Sequence, residues 1–228
     1  MRHPRPLDIR GIGMTSQRTR NRFAERLQAK GIQQEAVLDV MRKVPRHLFM
    51  DEAFASRSYE DTSLPIGYGQ TISQPFIVAR MTELLLQNQQ APLQNVLELG
   101  TGSGYQAAIL GAFVQKLWTV ERIEPLYQQA RELLYDLGYR NIQCKLSDGH
   151  WGLASEAPFD GMIVTAAPET VPDTLLEQLA VGARLIIPIG KQGDTQQLQV
   201  ITRNTDDQYH TENHEAVQFV PLLRDITH

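Results

Sequence analysis

The run Asn95-Val96-Leu97-Glu98-Leu99-Gly100-Thr101-Gly102-Ser103-Gly104 constrains this chain more than any other. An apolar run that meets three alternating glycines, followed by a further apolar run, reads as a buried strand, a tight turn and a helix. Glycine lets the backbone turn sharply there and approach a ligand without a Cβ in the way. The same rhythm then continues. After the strand at residues 95–99 come a helix at 105–114, a strand at 117–121 and a helix at 125–137 stopped by Gly138. Strands at 142–146 and 159–164, a helix at 172–179 and a strand at 184–189 complete it. Strands alternating with helices form βαβ units, so the fold class is α/β with a mostly parallel sheet and right-handed crossovers. Residues 198–202 and 216–220 are strand-like with no helix between them, and are expected to pair antiparallel at the C-terminus.

Upstream the pattern is helical. Phe23 and Leu27 share one face of a first helix that Gly31 stops. Val37, Val40, Met41 and Val44 stripe a second at residues 33–44, ended by Pro45. Residues 56–73, rich in Ser, Tyr, Asp, Gly and Thr, show no period and read as a long loop, a feature that in a compact domain is usually functional. An amphipathic helix follows Pro75. At roughly 150 residues per domain, 228 residues suit one large unit. We expect a single domain over 1–228, with a loose leader (1–13), N-terminal helices (14–55), an active-site loop (56–75), a ligand-binding core (93–190) and C-terminal strands (191–228).

With 42% hydrophobic and 21% charged residues, the composition excludes a disordered chain. The net charge of −4 is uneven: residues 1–30 hold 8 Lys and Arg against 2 Asp and Glu. A basic head on an acidic body suits either a nucleic-acid-binding arm or a solvated basic helix; because it lies away from the segments that carry chemistry, no nucleic-acid partner is expected. No apolar run approaches the roughly 20 residues of a membrane span, and no apolar stretch follows Arg2, Arg5 and Arg10 as a secretory signal requires. The lone Cys144 excludes an intrachain disulfide and fits a reducing compartment; it reads as a small core residue. We expect a cytoplasmic protein without membrane contact or an obligate partner. The histidines (His3, His47, His150, His210, His214, His228) show no metal-ligand spacing on a helix, so no metal is expected.

Three acids mark successive strand ends: Glu98 before the glycines, Glu121, and Asp148. Singly, each reads as a solvated or turn residue; their order around a glycine turn points to a ligand. An acid ending the second strand suits ribose hydroxyls, which both NAD and S-adenosyl-L-methionine carry. Glu98 discriminates, because a carboxylate beside the glycine turn repels a pyrophosphate and attracts a sulfonium and an amino group. The methyl donor is favoured.

The segment Gly67-Tyr68-Gly69-Gln70-Thr71-Ile72-Ser73-Gln74-Pro75 is the other unusual one. Ser73 ahead of a helix suits an N-cap, with Pro75 in the first turn. No base is patterned beside it, which argues against a serine hydrolase. This segment with Leu64-Pro65-Ile66-Gly67, residues 96–105, Ala157-Pro158-Phe159-Asp160 and Glu215-Ala216-Val217-Gln218-Phe219-Val220-Pro221-Leu222 closely resembles the protein-L-isoaspartate O-methyltransferase family, its bacterial members above all. The likeness runs from about residue 16 to 224. The glycine motif is shared with many methyltransferases; the Thr-Ile-Ser-Gln-Pro and C-terminal segments are specific to this family.

The resemblance implies a Rossmann-like, seven-stranded methyltransferase fold. The reaction it implies is methyl transfer from S-adenosyl-L-methionine to the free α-carboxylate of L-isoaspartyl residues in damaged proteins and peptides, which starts repair through a succinimide. By position it makes Ser73 the catalytic residue. Gln70, Thr71, Ile72, Glu98, Gly100, Gly102, Gly104, Glu121, Asp148 and Gly149 become cofactor-binding, with Glu121 on the ribose and Asp148 and Gly149 on the adenine side. Thr71, Ser73, Val220, Pro221 and Leu222 become substrate-binding. Ser147 stands where the family often has glycine, and Met14 lies nearer the family's usual start. The rivals are a methyltransferase acting on RNA or a small molecule, a NAD-dependent oxidoreductase, and a binding module that keeps only the fold.

Overall fold

A computed structural model describes residues 9, 11–87, 92–205 and 208–227. Most of the leader, His3 and His228 lie outside them. At the centre is a seven-stranded sheet in the order β5-β4-β3-β6-β7-β8-β9. Its strands are β3 (Leu93–Leu99), β4 (Val114–Glu121), β5 (Ile142–Leu146), β6 (Phe159–Val164), β7 (Leu179–Ile189), β8 (Gln196–Thr205) and β9 (Gln208–Val217). The first five run parallel, β8 pairs antiparallel with β7, and β9 pairs antiparallel with β8. The chain starts at β3 and steps outward through β4 and β5, then returns to the other side of β3 with β6. The crevice between β3 and β6 is therefore the switch point where such sheets bind ligands, outside the carboxyl ends of the strands.

Both faces of the sheet are covered, so the strands are apolar on both sides, as the near-continuous apolar runs require. On one face Val96, Leu117, Ile163 and Ile186 pack under α1 (Gln17–Ala29), α2 (Glu35–Lys43), α3 (Pro75–Leu86), α4 (Tyr105–Leu110) and α5 (Glu124–Asp136). On the other Leu97, Leu99, Val120, Met162 and Leu185 pack with Leu175 of α6 (Asp173–Glu177). The basic head has a structural use. The buried Arg20 donates to the carbonyls of Lys43 and Ile9, and Arg26 to that of Tyr59, so arginines of α1 tie the helical layer together. Among the described residues no helix is long and apolar enough to cross a membrane, and no group of three or more His, Cys, Asp or Glu is placed to hold a metal. Cys144 is half-buried rather than fully buried, on the edge strand β5.

Several elements differ from the sequence reading. The loop at 56–73 contains a hairpin, β1 (Leu64–Gly67) and β2 (Gln70–Ile72), turned by Gly67, Tyr68 and Gly69, all at positive φ. Strands of four and three residues are too short to show a period. The helix after the glycine turn ends at Leu110, not 114, because Gly111 packs against Ile142 and the apolar run continues as β4. The helix expected at 172–179 shortens to Asp173–Glu177, and β7 begins at once. The C-terminal pair is antiparallel as expected, but β9 runs from Gln208 to Val217 and residues 218–220 leave the sheet.

Candidate active site

The cleft lies at the carboxyl ends of β3 and β4, an open space of about 800 Å³ counted out to solvent. The glycine turn forms its floor. Gly100 and Thr101 both donate to the Val120 carbonyl, locking the turn to β4. Gly100 has φ +95°, and a Cβ there would lie 2.3 Å from Oγ1 of Thr165, whose hydroxyl lies 2.6 Å from the Gly100 carbonyl. Gly104, at φ +84°, lets α4 pass within contact of Ala130 and Leu134 of α5. One glycine thus closes the turn on β6, and another seats the following helix.

Glu121 is the anchor of this floor. Its side chain is buried, with Oε2 accepting from the amide of Gly102 at 2.8 Å and Oε1 from the amides of Arg122 and Ile123 at 2.9 Å each. A carboxylate offers about four lone-pair sites, so three backbone donors leave room for a ligand hydroxyl.

Glu98 is placed differently from the expectation. It is fully buried beneath the cleft and does not line it. Glu98 and Thr119 are in-register neighbours on β3 and β4. The Thr119 hydroxyl donates to Oε2 of Glu98 at 2.6 Å, and the Thr101 hydroxyl lies 2.6 Å from that of Thr119. Thr101 does line the cleft, so Glu98 reaches the ligand space through two hydroxyls. Its Oε1 has no hydrogen-bond partner among the described residues. Burial pushes the Glu98 carboxyl up to about 8, the hydrogen bond from Thr119 opposes the rise, and the negative charge of Glu121 adds to it. The carboxyl that the sequence sets against a cation is thus mostly protonated at pH 7 in this structure.

A raised carboxyl makes stability depend on pH. The unfolded chain ionises near pH 4.5 while the native chain keeps its proton, so this group's stabilisation is complete below pH 4.5. It is lost as pH rises and is gone above about pH 8. Glu98→Gln should therefore gain stability relative to the parent from pH 5 to pH 8, measured by urea unfolding without cofactor. A difference that stays constant with pH would place the titration elsewhere.

Of the other expected residues, Gln70, Thr71, Ile72 and Ser73 of the hairpin arm form one wall, Gly149 another, and Val220, Pro221 and Leu222 a third. That last wall is held by paired backbone bonds: Ala167 donates to Val220, and Leu222 to Ala167. The Ser73 hydroxyl makes no hydrogen bond among the described residues, so it is not the N-cap it resembles. Asp61 bonds the Phe76 amide at the start of α3 instead. Ser73 and Thr71 also line a second groove, about 1080 Å³ counted out to solvent, with Ser63, Gln74, Thr195 and Gln218, so Ser73 stands where the two spaces meet. Asp148 and Gly104 do not line the cleft. Asp148 accepts from the Asp225 amide, and the tail continues to Thr227, which bridges to Ile123 while its hydroxyl meets Arg122. The C-terminal segment closes the Asp148 side of the cleft.

The sequence reading misses Thr119, Thr165 and this tail. Thr119 sits inside an apolar strand signal and Thr165 directly after one, where a hydroxyl looks like any β-branched residue. The tail's role rests on pairing between residues about a hundred positions apart.

Residues 18–226 match the family described as protein-L-isoaspartate(D-aspartate) O-methyltransferase. A protein-L-isoaspartate O-methyltransferase of Cellvibrio japonicus (strain Ueda107) is 54% identical over 217 residues, covering 94% of this chain and 96% of that one. Its counterpart from Pseudomonas paraeruginosa (strain DSM 24068 / PA7) is 53% identical over 210 residues, covering 92% and 98%. A solved protein-L-isoaspartate O-methyltransferase superposes with TM-score 0.81 at 25% identity, over 91% of this chain and 67% of that one. A Plasmodium falciparum protein described as a beta-aspartate methyltransferase, crystallised with S-adenosyl-L-homocysteine, gives 0.74 at 25% identity over 90% and 98%.

Proposed function

Because the chain belongs to the protein-L-isoaspartate(D-aspartate) O-methyltransferase family, we propose that its cleft holds S-adenosyl-L-methionine and that Ser73 presents the acceptor to it. The enzyme methylates the free α-carboxylate of L-isoaspartyl residues, and its sheet is that of the seven-stranded methyltransferases. The observation that carries the residue-level reading is the position of Ser73, a hydroxyl without a hydrogen-bond partner among the described residues, at the junction of the cleft and the second groove.

The residues fit the donor. Glu121 has about one lone-pair site left for a ribose hydroxyl, and the orphaned Oε1 of Glu98 marks acidity held beneath the glycine turn. Gly100, Gly102 and Gly149 bring backbone against the ligand space, while Val120 and Ile123 give it apolar walls. A pyrophosphate over the glycine turn would lie beside Glu121, to which the Gly102 amide already donates, which disfavours NAD. When bound, S-adenosyl-L-methionine supplies a methyl group on a positively charged sulfur.

The chain itself then has little acid–base work. A carboxylate with a pKa near 4 is already ionised at pH 7 and needs no general base, in keeping with the absence of histidine among the described residues that line the cleft. Ser73 donates one hydrogen bond that fixes an acceptor oxygen. Thr71 and the segment 220–222 border the peptide, whose chain lies in the second groove. That groove is lined by Ser63, Gln74, Thr195 and Gln218, with no charged side chain among the described residues, which suits substrates whose only common feature is the isoaspartyl linkage. Positioning of this kind supplies roughly 7–11 kcal/mol of a barrier. Methoxide leaves an ester far more readily than oxide leaves a carboxylate, so the following amide nitrogen attacks the ester carbonyl, methanol departs and a succinimide closes. Water opening it at one carbonyl returns aspartate, and at the other isoaspartate, which is methylated again. Substrates of this kind, damaged cell proteins, and a single cysteine suit a cytoplasmic enzyme. Methyl transfer to an isoaspartyl peptide, compared with its normal aspartyl twin, tests the reading.

A further inference from the structure

Pro45 ends the α2 segment, and the next residue, Arg46, opens a short helical turn that sends its side chain inward. Arg46 is 0% exposed. Its Nε donates to the Ser58 carbonyl at 2.9 Å and its Nη2 to the Ser73 carbonyl at 2.8 Å. The guanidinium carbon lies 4.7 Å from the centre of the Tyr105 ring. Nη1 has no hydrogen-bond partner among the described residues, and none of their carboxylates lies within 4.0 Å of the group. Burying an unpaired charge is costly, and apolar side chains of similar volume fill such a space as well or better. Burial lowers this guanidinium to about 10, against partial compensation from the Tyr105 and Tyr59 hydroxyls, so it stays charged at neutral pH.

What the group touches explains why a charge is kept there. Ser73 lines both grooves, as Thr71, Thr165 and Val220 do, and Tyr105 is the first residue of α4 after the glycine turn and also lines the cleft. A rigid planar fork thus ties the wall that carries the serine to the wall that carries the cofactor floor. We propose that Arg46 is a positioning residue for methyl transfer, fixing the Ser73 peptide so that its hydroxyl faces the acceptor carboxylate. This rests on the reading that Ser73 holds that carboxylate. The carbonyl of residue 73 points back into the protein toward Arg46, which leaves the side chain free to face the grooves. The positive charge behind that peptide also favours an anion in front of it.

The test is a double-mutant cycle of Arg46→Lys and Ser73→Ala, read as kcat and KM for an isoaspartyl peptide and as Kd for S-adenosyl-L-homocysteine. Lysine keeps the charge but cannot span two carbonyls. Arg46→Lys should lower kcat/KM for the peptide by at least roughly tenfold, chiefly through KM, with the Kd for S-adenosyl-L-homocysteine changed by less than about twofold. On the Ser73→Ala background the same change should cost less than about threefold more, since the two act as a unit. If Ser73→Ala alone is as active as the parent, the serine reading fails and this proposal with it. If Ser73→Ala is impaired but Arg46→Lys is fully active, or the two losses multiply, only the Arg46 proposal is overturned. Should the lysine variant not fold, Arg46→Gln takes its place; if that also loses S-adenosyl-L-homocysteine binding, Arg46 is a general strut and the proposal is overturned.

Discussion

Ser73→Ala should lower kcat/KM for an isoaspartyl peptide by about 10- to 100-fold and leave the affinity for S-adenosyl-L-homocysteine within about twofold. The magnitude is that of one hydrogen bond to a charged group, about 1.5–3 kcal/mol. The hydroxyl makes no bond within the described protein, so its removal leaves no orphaned partner and should not change the melting temperature. A nucleophilic serine would behave otherwise, since its loss abolishes turnover. Residual activity of a few per cent with unchanged cofactor binding therefore separates a holder from a nucleophile. Activity equal to the parent's would remove Ser73 from the mechanism.

Glu121→Ala should have the opposite signature. Kd for S-adenosyl-L-methionine should rise about 100-fold, the loss of hydrogen bonds to one charged acceptor, while the KM for peptide at saturating cofactor stays near the parent's. The variant should also melt earlier, because the amides of Gly102, Arg122 and Ile123 all lose their acceptor. Each such buried donor left without a partner costs about 1–3 kcal/mol. Isothermal titration with S-adenosyl-L-homocysteine, alongside NAD, reads both points: the parent binds the first and not the second. An unchanged cofactor Kd in the variant would refute the ribose assignment.

How much of this was legible in the sequence follows from which interactions are local. The strand signals at residues 142–146 and 159–164 coincide with β5 and β6, since a buried strand between turn residues carries its own period. The glycine turn is equally local: three glycines at alternate positions take positive φ and hold the floor. Where competing elements share apolar residues, the pattern alone cannot divide them. Residues 112–114 extend an apolar helix by period, yet they turn and enter β4, because Gly111 must pass close to Ile142 on the neighbouring strand. The polar β9 is written mostly in Gln, His, Thr, Asn and Glu because it is an edge strand, so its strand character comes from pairing with β8.

The site divides in the same way. Glu121 is legible from its place at a strand end, Ser73 and the segment 220–222 only through the family resemblance, and the structure brings all of them to one cleft. Glu98 was found too, but its depth was not. Only the register of β3 against β4 puts it beside Thr119 and one layer below the ligand space, where burial makes it a neutral acid. Arg46 shows the same limit more sharply. In sequence it is one arginine after a helix-ending proline; its reach to the carbonyls of Ser58 and Ser73 comes from tertiary packing alone.

The central claim is that this cleft methylates isoaspartyl carboxylates and passes over normal aspartate. Transfer of labelled methyl from S-adenosyl-L-methionine to a peptide with one L-isoaspartyl residue, set against the same peptide with L-aspartyl there, tests it most directly. The account predicts label on the isoaspartyl peptide as a base-labile ester, followed by appearance of the succinimide, and none above background on the aspartyl twin. Equal labelling of the two, or labelling of neither by enzyme that binds S-adenosyl-L-homocysteine, would contradict it.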